Sequence, residues 1–289
     1  MDGLPLITIG VSTYNRREYL KLSLDSLLSQ TYPACEIIVI DDGSTDGTTE
    51  MMQECYPQIK YVYQDNAGDS AAKNHAARLA KGEYIVFNDS DDLFLPDAVE
   101  RLYNALPDND RNACSYGGYI TIDPAGNQLP TKRKVSEYPS GNITETLLKH
   151  IVVNCTATLM PLQLFLNNGG LGNVRQVAAD YKLFLKLSLQ SNFYAVQQPV
   201  FLRRRHGGNI SAVSYAKQLV VLNVLEDFIA GNPEVEQQFS QTLRLRRADL
   251  HNKLCREARK EKLTSEAKMH AVKAFKLKPS LKSFFRMIF

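Results

Sequence analysis

The chain has 289 residues, 44% of them hydrophobic, and a formal net charge of +3. This length allows one large domain, or a domain with an appendage, around a sizeable apolar core. The five cysteines are scattered and form no CxxC pair, so they encode neither a disulfide framework nor a zinc site and indicate a reducing compartment. We find no signal peptide and no apolar stretch of about twenty residues, which predicts a cytoplasmic protein with at most peripheral membrane contact.

The first half alternates short β-branched runs with helical patterns, which is typical of βα units around a mostly parallel sheet. A further helix is predicted to begin with Pro96 at its first position. In open α/β sheets, ligands bind beyond the carboxyl ends of the strands, so polar residues that follow several strands are expected to converge. The predicted strands are 6–11, 36–40, 59–63 and 84–87.

The second half has a looser pattern. It predicts strands over 115–122, 154–160 and 201–205, a helix over 181–189, and helices from residue 215 onward. We therefore predict one domain over 1–213, whose pattern changes between its halves 1–112 and 113–213. A helical extension would cover 214–289. Residues 241–289 hold 14 Lys and Arg against 4 Asp and Glu, so the basic character belongs to the tail.

Three carboxylates follow the fourth predicted strand within four residues, as Asp89, Asp91 and Asp92. Such a concentration of negative charge destabilises the fold unless a cation neutralises it. Carboxylate oxygens suit Mg²⁺ or Mn²⁺, which typically keep ligand positions open for substrate phosphates. The alternative is an ordinary turn whose acids cap the helix before Pro96.

Five sequence segments, in this order and spacing, resemble the motif series of family 2 glycosyltransferases, which have the GT-A fold. The resemblance covers most of residues 5–110. It implies an α/β nucleotide-diphospho-sugar transferase fold and an inverting, non-processive transfer of a sugar from a nucleotide-sugar donor. The domain over 1–213 would then be catalytic, with a nucleotide-binding half (1–112) and an acceptor-binding half (113–213). The segments are 11–15 (VSTYN), 26–32 (SLLSQTY), 38–46 (IVIDDGSTD), 71–74 (AAKN) and 88–92 (NDSDD).

The resemblance implies that the residues after the first two strands bind the nucleotide. Tyr14 would stack on the base, and Ser12 or Thr13 would contact it. Asp42 is similar to the acid that accepts a hydrogen bond from uracil N3–H, with Asp41 beside it. The local alternatives are a capping hydroxyl with a core tyrosine, and an ordinary Asx turn at the acid pair.

The resemblance also assigns roles near the triple acid. Asp91 would hold the ribose and, with Asp92, the metal ion, while Asp89 completes the cluster. The metal would stabilise the charge that builds on the departing nucleoside diphosphate. Lys73 matches a usually basic position that faces the base or the diphosphate, although a solvated helical lysine is the alternative.

An acceptor-side motif begins the predicted helix near residue 181. The family has a Glu-Asp pair there, and this chain has Ala179 and Asp180. The resemblance implies that Asp180 takes the proton from the acceptor hydroxyl as that oxygen attacks the anomeric carbon. The missing Glu puts acceptor orientation in question, and an N-cap role for Asp180 is the alternative.

The segment 203–211 is similar to the basic segment with a histidine near the end of the family's catalytic domain. Arg203 and Arg205 would contact the diphosphate, and His206, beside two glycines, would add a metal ligand. A purely structural histidine is the alternative.

Other enzyme classes fit less well. No G-x-G-x-x-G follows the first strand and no P-loop motif occurs, which excludes dinucleotide oxidoreductases and P-loop NTPases. A sugar nucleotidyltransferase would need a Gly-rich loop where residues 12–15 stand. Membrane-embedded processive synthases carry a Gln-x-x-Arg-Trp motif, and this chain has no Trp. A catalytically impaired glycan- or partner-binding protein remains as the non-enzyme alternative.

The predicted partners are therefore a UDP-sugar and a glycan or lipid-linked glycan acceptor, in cell-surface polysaccharide, lipopolysaccharide or glycoconjugate synthesis. We predict no nucleic-acid partner. At the end of the chain, an amphipathic basic helix predicts peripheral contact with an anionic inner membrane leaflet or, alternatively, packing on its own domain or on a second copy in a homodimer. Its apolar residues are Leu281, Phe284, Phe285 and Ile288.

Overall fold

A computed structural model describes residues 3–130, 138–172, 178–207 and 214–279. These residues form a mixed eight-stranded sheet with flanking helices, followed by further helices. The strands are β1 (Ile7–Thr13), β2 (Cys35–Asp41), β3 (Lys60–Tyr63), β4 (Tyr84–Asp89), β5 (Leu93–Phe94), β6 (Cys114–Ile122), β7 (Thr158–Pro161) and β8 (Phe193–Arg204). The α-helices are α1 (Arg17–Leu28), α2 (Thr48–Cys55), α3 (Asp69–Leu79), α4 (Ala98–Asn104), α5 (Thr144–Lys149), α6 (Leu162–Asn167), α7 (Ala179–Ser188), α8 (Tyr215–Ala230), α9 (Pro233–Gln238), α10 (Ser240–Lys260) and α11 (Thr264–Leu277).

The sheet has the strand order β3-β2-β1-β4-β7-β6-β8-β5. The first four strands of this order are parallel, and β7 then runs antiparallel to β4 and β6. All residues of β1 are buried, and Ile38, Val39 and Ile40 in β2 are fully buried, as expected for central strands covered on both faces. The predicted α/β class with a mostly parallel first half is confirmed.

Three predicted boundaries are wrong. Helix α4 begins at Ala98 with Asp97 as its N-cap, so Pro96 is not its first residue. Strand β7 covers only Thr158–Pro161, and β8 begins at Phe193, eight residues before the predicted start. The length of β8 follows from its pairing with β6 along one edge and with β5 near its end, which no local pattern shows.

The chain divides into two compact units. The first contains the whole sheet and comprises Met1–Ile143, Val152–Arg175 and Leu187–Gly208. The second comprises Thr144–Ile151, Gln176–Lys186 and Asn209–Phe289. It holds α5, most of α7 and the helices α8 to α11, with α10 packed against α5, α8 and α11. The domain boundary at residue 213 stays a prediction.

The remaining sequence predictions concern the cysteines, membrane-spanning helices and the C-terminal amphipathic segment. All five cysteines are free thiols. Among the described helices, none is both long and apolar enough to cross a membrane. The amphipathic segment with Leu281 and Phe284 lies outside the described residues.

Candidate active site

The polar residues after β1, β2 and β4 lie at one edge of the sheet. In the parallel register, Thr13 pairs with Asp41 on one side of β1, and Ser12 pairs with Asp89 on the other. The carboxyl ends of the three strands therefore stand side by side, which brings together segments that are far apart in the sequence.

The three acids after β4 form a single cluster. The backbone N–H of Asp92 donates to the carbonyl of Asp89 at 2.9 Å, which closes a tight turn. One carboxylate oxygen from each of Asp89, Asp91 and Asp92 lies within 4.8 Å of the other two. Carboxylate oxygens at this spacing can bind one divalent cation together.

Lys73 ties helix α3 to this cluster. Its side chain is 4% exposed, and its Nζ donates to Asp89 Oδ1 at 2.6 Å and to Asp69 Oδ2 at 2.8 Å. Burial alone would lower the pKa of Lys73, but the two carboxylates outweigh it and raise this pKa well above the usual value. Burial likewise opposes ionisation of Asp89, yet Lys73 and the hydroxyl of Thr156 lower the pKa of that acid. The alternative of a solvated lysine does not fit this burial.

Asp91 is held by two basic side chains. Its Oδ2 lies 2.9 Å from Arg16 Nη1 and 2.8 Å from His206 Nε2, and these two nitrogens are 2.6 Å apart. The His206 ring stacks on Tyr19 with centroids 5.0 Å apart. The structure thus brings His206 to the acid cluster, although it lies 115 residues away in the sequence.

Asp92 is the most deeply enclosed acid of the cluster. Burial, together with the negative charges of Asp89 and Asp91, raises its pKa to about 8. One backbone contact opposes this shift, because the N–H of Arg204 donates to Asp92 Oδ1 at 2.9 Å. Burial and the two neighbouring acids therefore oppose the ionisation of Asp92.

The acid pair after β2 is buried, and the two residues have different contacts. Asp41 Oδ1 accepts the N–H of Ser44 at 2.8 Å, a local turn bond, and Oδ2 accepts the Tyr61 hydroxyl at 2.6 Å. The Asx-type alternative therefore describes Asp41 well. Gly43 has φ +92°, and a Cβ there would lie 3.1 Å from the backbone nitrogen of Asn66, so this turn requires glycine.

Asp42 holds the loop before α3. Its Oδ1 accepts hydrogen bonds from Gln64 Nε2 and the N–H of Ala67, and its Oδ2 accepts the N–H of Gly68, each at 2.8 Å. A carboxylate offers about four lone-pair positions, so one acceptor position on Asp42 is not accounted for by these bonds.

The three residues at the end of β1 differ in exposure. The Ser12 hydroxyl donates to Asp69 Oδ1 at 2.5 Å. Thr13 is buried, and its hydroxyl has no hydrogen-bond partner among the described residues. Tyr14 is 49% exposed, so a face of its ring is accessible to a stacking partner. Stacking is thus compatible with Tyr14, whereas the Ser12 hydroxyl is already bonded to Asp69.

The three consecutive arginines at the end of β8 have separate environments. Arg203 lies over the Tyr119 ring at 5.3 Å and donates to its hydroxyl at 3.3 Å. Arg205 is exposed. Arg204, which the sequence did not single out, is buried and donates from Nη1 to the carbonyl of Pro124 at 2.9 Å. Its Nε donates to the carbonyl of Asp91 at 3.2 Å, so Arg204 also holds the strand end against the acid turn.

Asp180 belongs to the second unit. Helix α7 begins at Ala179, so Asp180 lies inside the first turn and not at the N-cap position of the alternative prediction. Its Oδ1 accepts the N–H of Tyr181 at 2.8 Å. Along the chain, the strands β5, β6 and β7 and the α-helices α4, α5 and α6 separate Asp180 from the acid cluster.

The acid cluster suits a hard divalent cation such as Mg²⁺ or Mn²⁺. All three side chains offer oxygen, and besides burial the negative charges of Asp89 and Asp91 raise the pKa of Asp92, as expected where a cation is needed to balance the acids. The residues that sequence reasoning missed are those that hold this cluster: Arg16, Tyr19, Asp69, Thr156 and Arg204. Arg16, Thr156 and Arg204 contact its acids directly. Asp69 acts through Lys73, and Tyr19 acts through His206. The sequence carried no local signal for these contacts.

Comparisons with known proteins agree with this geometry. A family model described as "Glycosyl transferase family 2" matches residues 8–162. The chain is 33% identical over 214 residues to a protein named chondroitin synthase from Escherichia coli, which covers 73% of this chain and 30% of that protein. The chain thus spans less than a third of that relative.

Solved structures share the fold. S. aureus TarS 1–349, determined in complex with UDP-GlcNAc, has a TM-score of 0.60 at 17% identity and covers 98% of this chain and 88% of that one. The mannosyltransferase PcManGT from Pyrobaculum calidifontis, in complex with GDP-Man and Mn²⁺, has a TM-score of 0.58 at 19% identity and covers 99% and 79%. The fold is GT-A, and the chain belongs to glycosyl transferase family 2.

Proposed function

We propose that this glycosyltransferase moves a sugar from a UDP-sugar to a hydroxyl of a glycan or lipid-linked glycan, with inversion at the anomeric carbon. The observation that carries the proposal is the cluster of Asp89, Asp91 and Asp92, which lies at the same carboxyl edge of a family 2 sheet as Asp42 and Tyr14. The UDP-GlcNAc bound by TarS and the synthase name of the E. coli relative support a donor of this class.

The donor would bind along the sheet edge. The exposed ring of Tyr14 would stack on uracil, and the remaining acceptor position of Asp42 suits the single N–H of that base. Asp91 and Asp92 would hold Mn²⁺ or Mg²⁺, with His206 beside Asp91. When bound, this cation would neutralise the developing charge on the diphosphate. Arg203 and Arg205 would supply further positive charge.

The transfer itself would need one proton acceptor. As the acceptor oxygen forms its bond to the anomeric carbon, the bond from that carbon to the diphosphate breaks on the opposite face, and UDP leaves. Asp180 would take the proton of the attacking hydroxyl. The acceptor would be a glycan in cell-surface polysaccharide, lipopolysaccharide or glycoconjugate synthesis. Limited addition of sugars stays a prediction, because the chain matches only 30% of the synthase relative.

A screen of nucleotide sugars for Mn²⁺-dependent release of UDP tests the proposal. We expect one UDP-sugar to give release that stops in excess chelator and in Asp92→Asn. A glycan-binding protein without turnover is the alternative, favoured only by Ala179 at the family's Glu position. Binding of a UDP-sugar with no hydrolysis or transfer under any metal would support that alternative and contradict the proposal.

A further inference from the structure

Asp180 is anchored by residues of the helical unit. The segment Gln176–Lys186 forms one compact unit with Asn209–Phe289, and this unit supplies the contacts around the start of α7. We propose that Tyr181 and Arg246 are positioning residues for the Asp180 carboxylate. This inference rests on the proposed role of Asp180 as the base, and it assigns a function in the reaction to helix α10.

The first contact is direct. The backbone N–H of Tyr181 donates to Asp180 Oδ1 at 2.8 Å. The first N–H groups of a helix have no partner within the helix, so a carboxylate there satisfies one of them and is oriented by it. The direction of the Asp180 carboxylate therefore depends on where the backbone of Tyr181 is held.

The Tyr181 side chain holds that backbone. Its ring is fully buried, and its hydroxyl donates to the carbonyl of Leu147 in α5 at 3.1 Å. Burial raises the pKa of Tyr181, and Arg246 of α10 acts on the same hydroxyl in the opposite direction. The Tyr181 hydroxyl is thus bonded to α5 and lies within the electrostatic reach of a cation on α10.

Helices α5 and α10 are also joined to each other. The Thr242 hydroxyl of α10 donates to Glu145 Oε1 of α5 at 2.8 Å. Leu147, which accepts the Tyr181 hydroxyl, and Arg246, which acts on it electrostatically, thus lie on helices that are held together. This arrangement fixes the first turn of α7 from two sides.

Arg246 is poorly placed for a residue whose only role is stability. Its side chain is 4% exposed, its ion pair with Asp249 spans 3.4 Å, and its Nε has no hydrogen-bond partner among the described residues. A buried guanidinium with an unpaired N–H destabilises a fold compared with an apolar side chain of similar size. Local violations of this kind are typical of functional sites.

The functional consequence is a loss of turnover when the network is broken. Misplacing a reacting group by about 1 Å can reduce the rate by on the order of 10². We expect Tyr181→Phe and Arg246→Met to lower kcat by about 10-fold to 100-fold. The KM for the donor should not change, because the proposed donor contacts lie in the first unit, which contains the sheet.

The experiment measures kcat, donor KM and Tm for full-length Tyr181→Phe, Arg246→Met, Asp180→Asn and the double variant Asp180→Asn with Tyr181→Phe. Tyr215→Phe is the matched control, since it removes another tyrosine hydroxyl of the same unit, one that bonds His270 at 3.1 Å. If Tyr181 acts through Asp180, Tyr181→Phe lowers kcat in the wild-type background and has no further effect in Asp180→Asn. Arg246→Met should lose turnover without losing Tm, which a structural role alone would not produce.

Two outcomes separate the inference from the proposed function. A fully active Asp180→Asn would overturn the base assignment itself. An impaired Asp180→Asn together with wild-type kcat in Tyr181→Phe and Arg246→Met would overturn only the positioning roles. An equal fractional loss from Tyr181→Phe in both backgrounds, or the same loss in Tyr215→Phe, would also contradict the inference.

Discussion

The ammonium of Lys73 lies 2.6 Å from Oδ1 of Asp89, and this ion pair joins helix α3 to the acid turn after β4. Asp69, at the start of the same helix, binds Lys73 at 2.8 Å and accepts the Ser12 hydroxyl. The ends of β1 and β4 are thereby linked through one buried cation. Removing that cation should affect both stability and the acid cluster.

Replacing Lys73 by Met should destabilise the protein by about 2 kcal/mol, because hydrogen bonds to charged groups contribute about 1.5 to 3 kcal/mol and two carboxylates lose their partner. Chemical denaturation with and without the substitution measures this. In an Asp89→Asn background the cost of Lys73→Met should be smaller, since one of the unpaired charges is gone. Equal costs in both backgrounds would show that the pair does not contribute.

Asp92→Asn should have opposite effects in chelator and in Mn²⁺. The pKa of Asp92 is raised to about 8, so the folded protein binds a proton that the unfolded chain releases above about pH 4. The contribution of Asp92 to stability is then favourable at acidic pH and declines as the pH rises to 8. The Tm of Asp92→Asn in chelator should therefore equal or exceed that of the wild type, with a difference that grows from pH 5 to 8.

Adding Mn²⁺ should reverse this difference in Tm between Asp92→Asn and the wild type. The wild type should gain Tm by mass action, and Asp92→Asn should gain little, because it lacks one ligand charge. Calorimetry of Mn²⁺ binding checks the same point. Equal Mn²⁺ stabilisation of both proteins would show that the cation binds elsewhere.

Asp180→Asn should lower turnover by on the order of 10² to 10⁴, the usual contribution of a general base, while UDP affinity stays the same. Asn keeps the size of the side chain and can still accept the N–H of Tyr181. Tm should therefore change little. Normal turnover in this variant would assign Asp180 a structural role at the start of α7.

His251 should make the helical unit sensitive to acid. Burial, the neighbouring His270 and Lys273 lower its pKa to about 4, and its Nδ1 lies 2.9 Å from Nδ1 of His270. A histidine that is neutral when folded binds fewer protons than the unfolded chain below pH 6.5, so stability should fall as the pH drops from about 6.5 to 4. Thermal unfolding across this range should give a shallower pH dependence for His251→Gln. A wild-type slope in His251→Gln would contradict this assignment.

The basic tail should bind anionic vesicles if its predicted amphipathic helix contacts a membrane. Replacing Phe284 and Phe285 by Ser removes much of the apolar face and leaves the charge unchanged, so co-sedimentation with anionic liposomes should decrease. Neutral liposomes serve as the control. Equal binding by both proteins would contradict membrane contact and favour packing of the tail on protein.

The order of the motifs was sufficient to predict the fold class and the acid cluster. Consecutive β-branched residues such as Ile38, Val39 and Ile40 predict a strand that is covered on both faces. The acids that follow this strand and β4 lie at strand ends, and this placement does not depend on which residues they contact. Parallel strands place their carboxyl ends at one edge, so the position of Asp42 and the triple acid at the same sheet edge follows from the local pattern and one general rule.

Tertiary structure alone decided how these groups are held. Arg204 meets Asp92 across 112 residues, and His206 meets Asp91 across 115, through pairings of β8 that have no local signature. The sequence alone is compatible with a solvated Lys73 on a helix surface, and only the fold places the carboxylates of Asp69 and Asp89 around this side chain. Burial, ionisation and orientation depend on neighbours that are distant in the sequence, because charges and hydrogen bonds act through space and only the folded chain defines which groups are close.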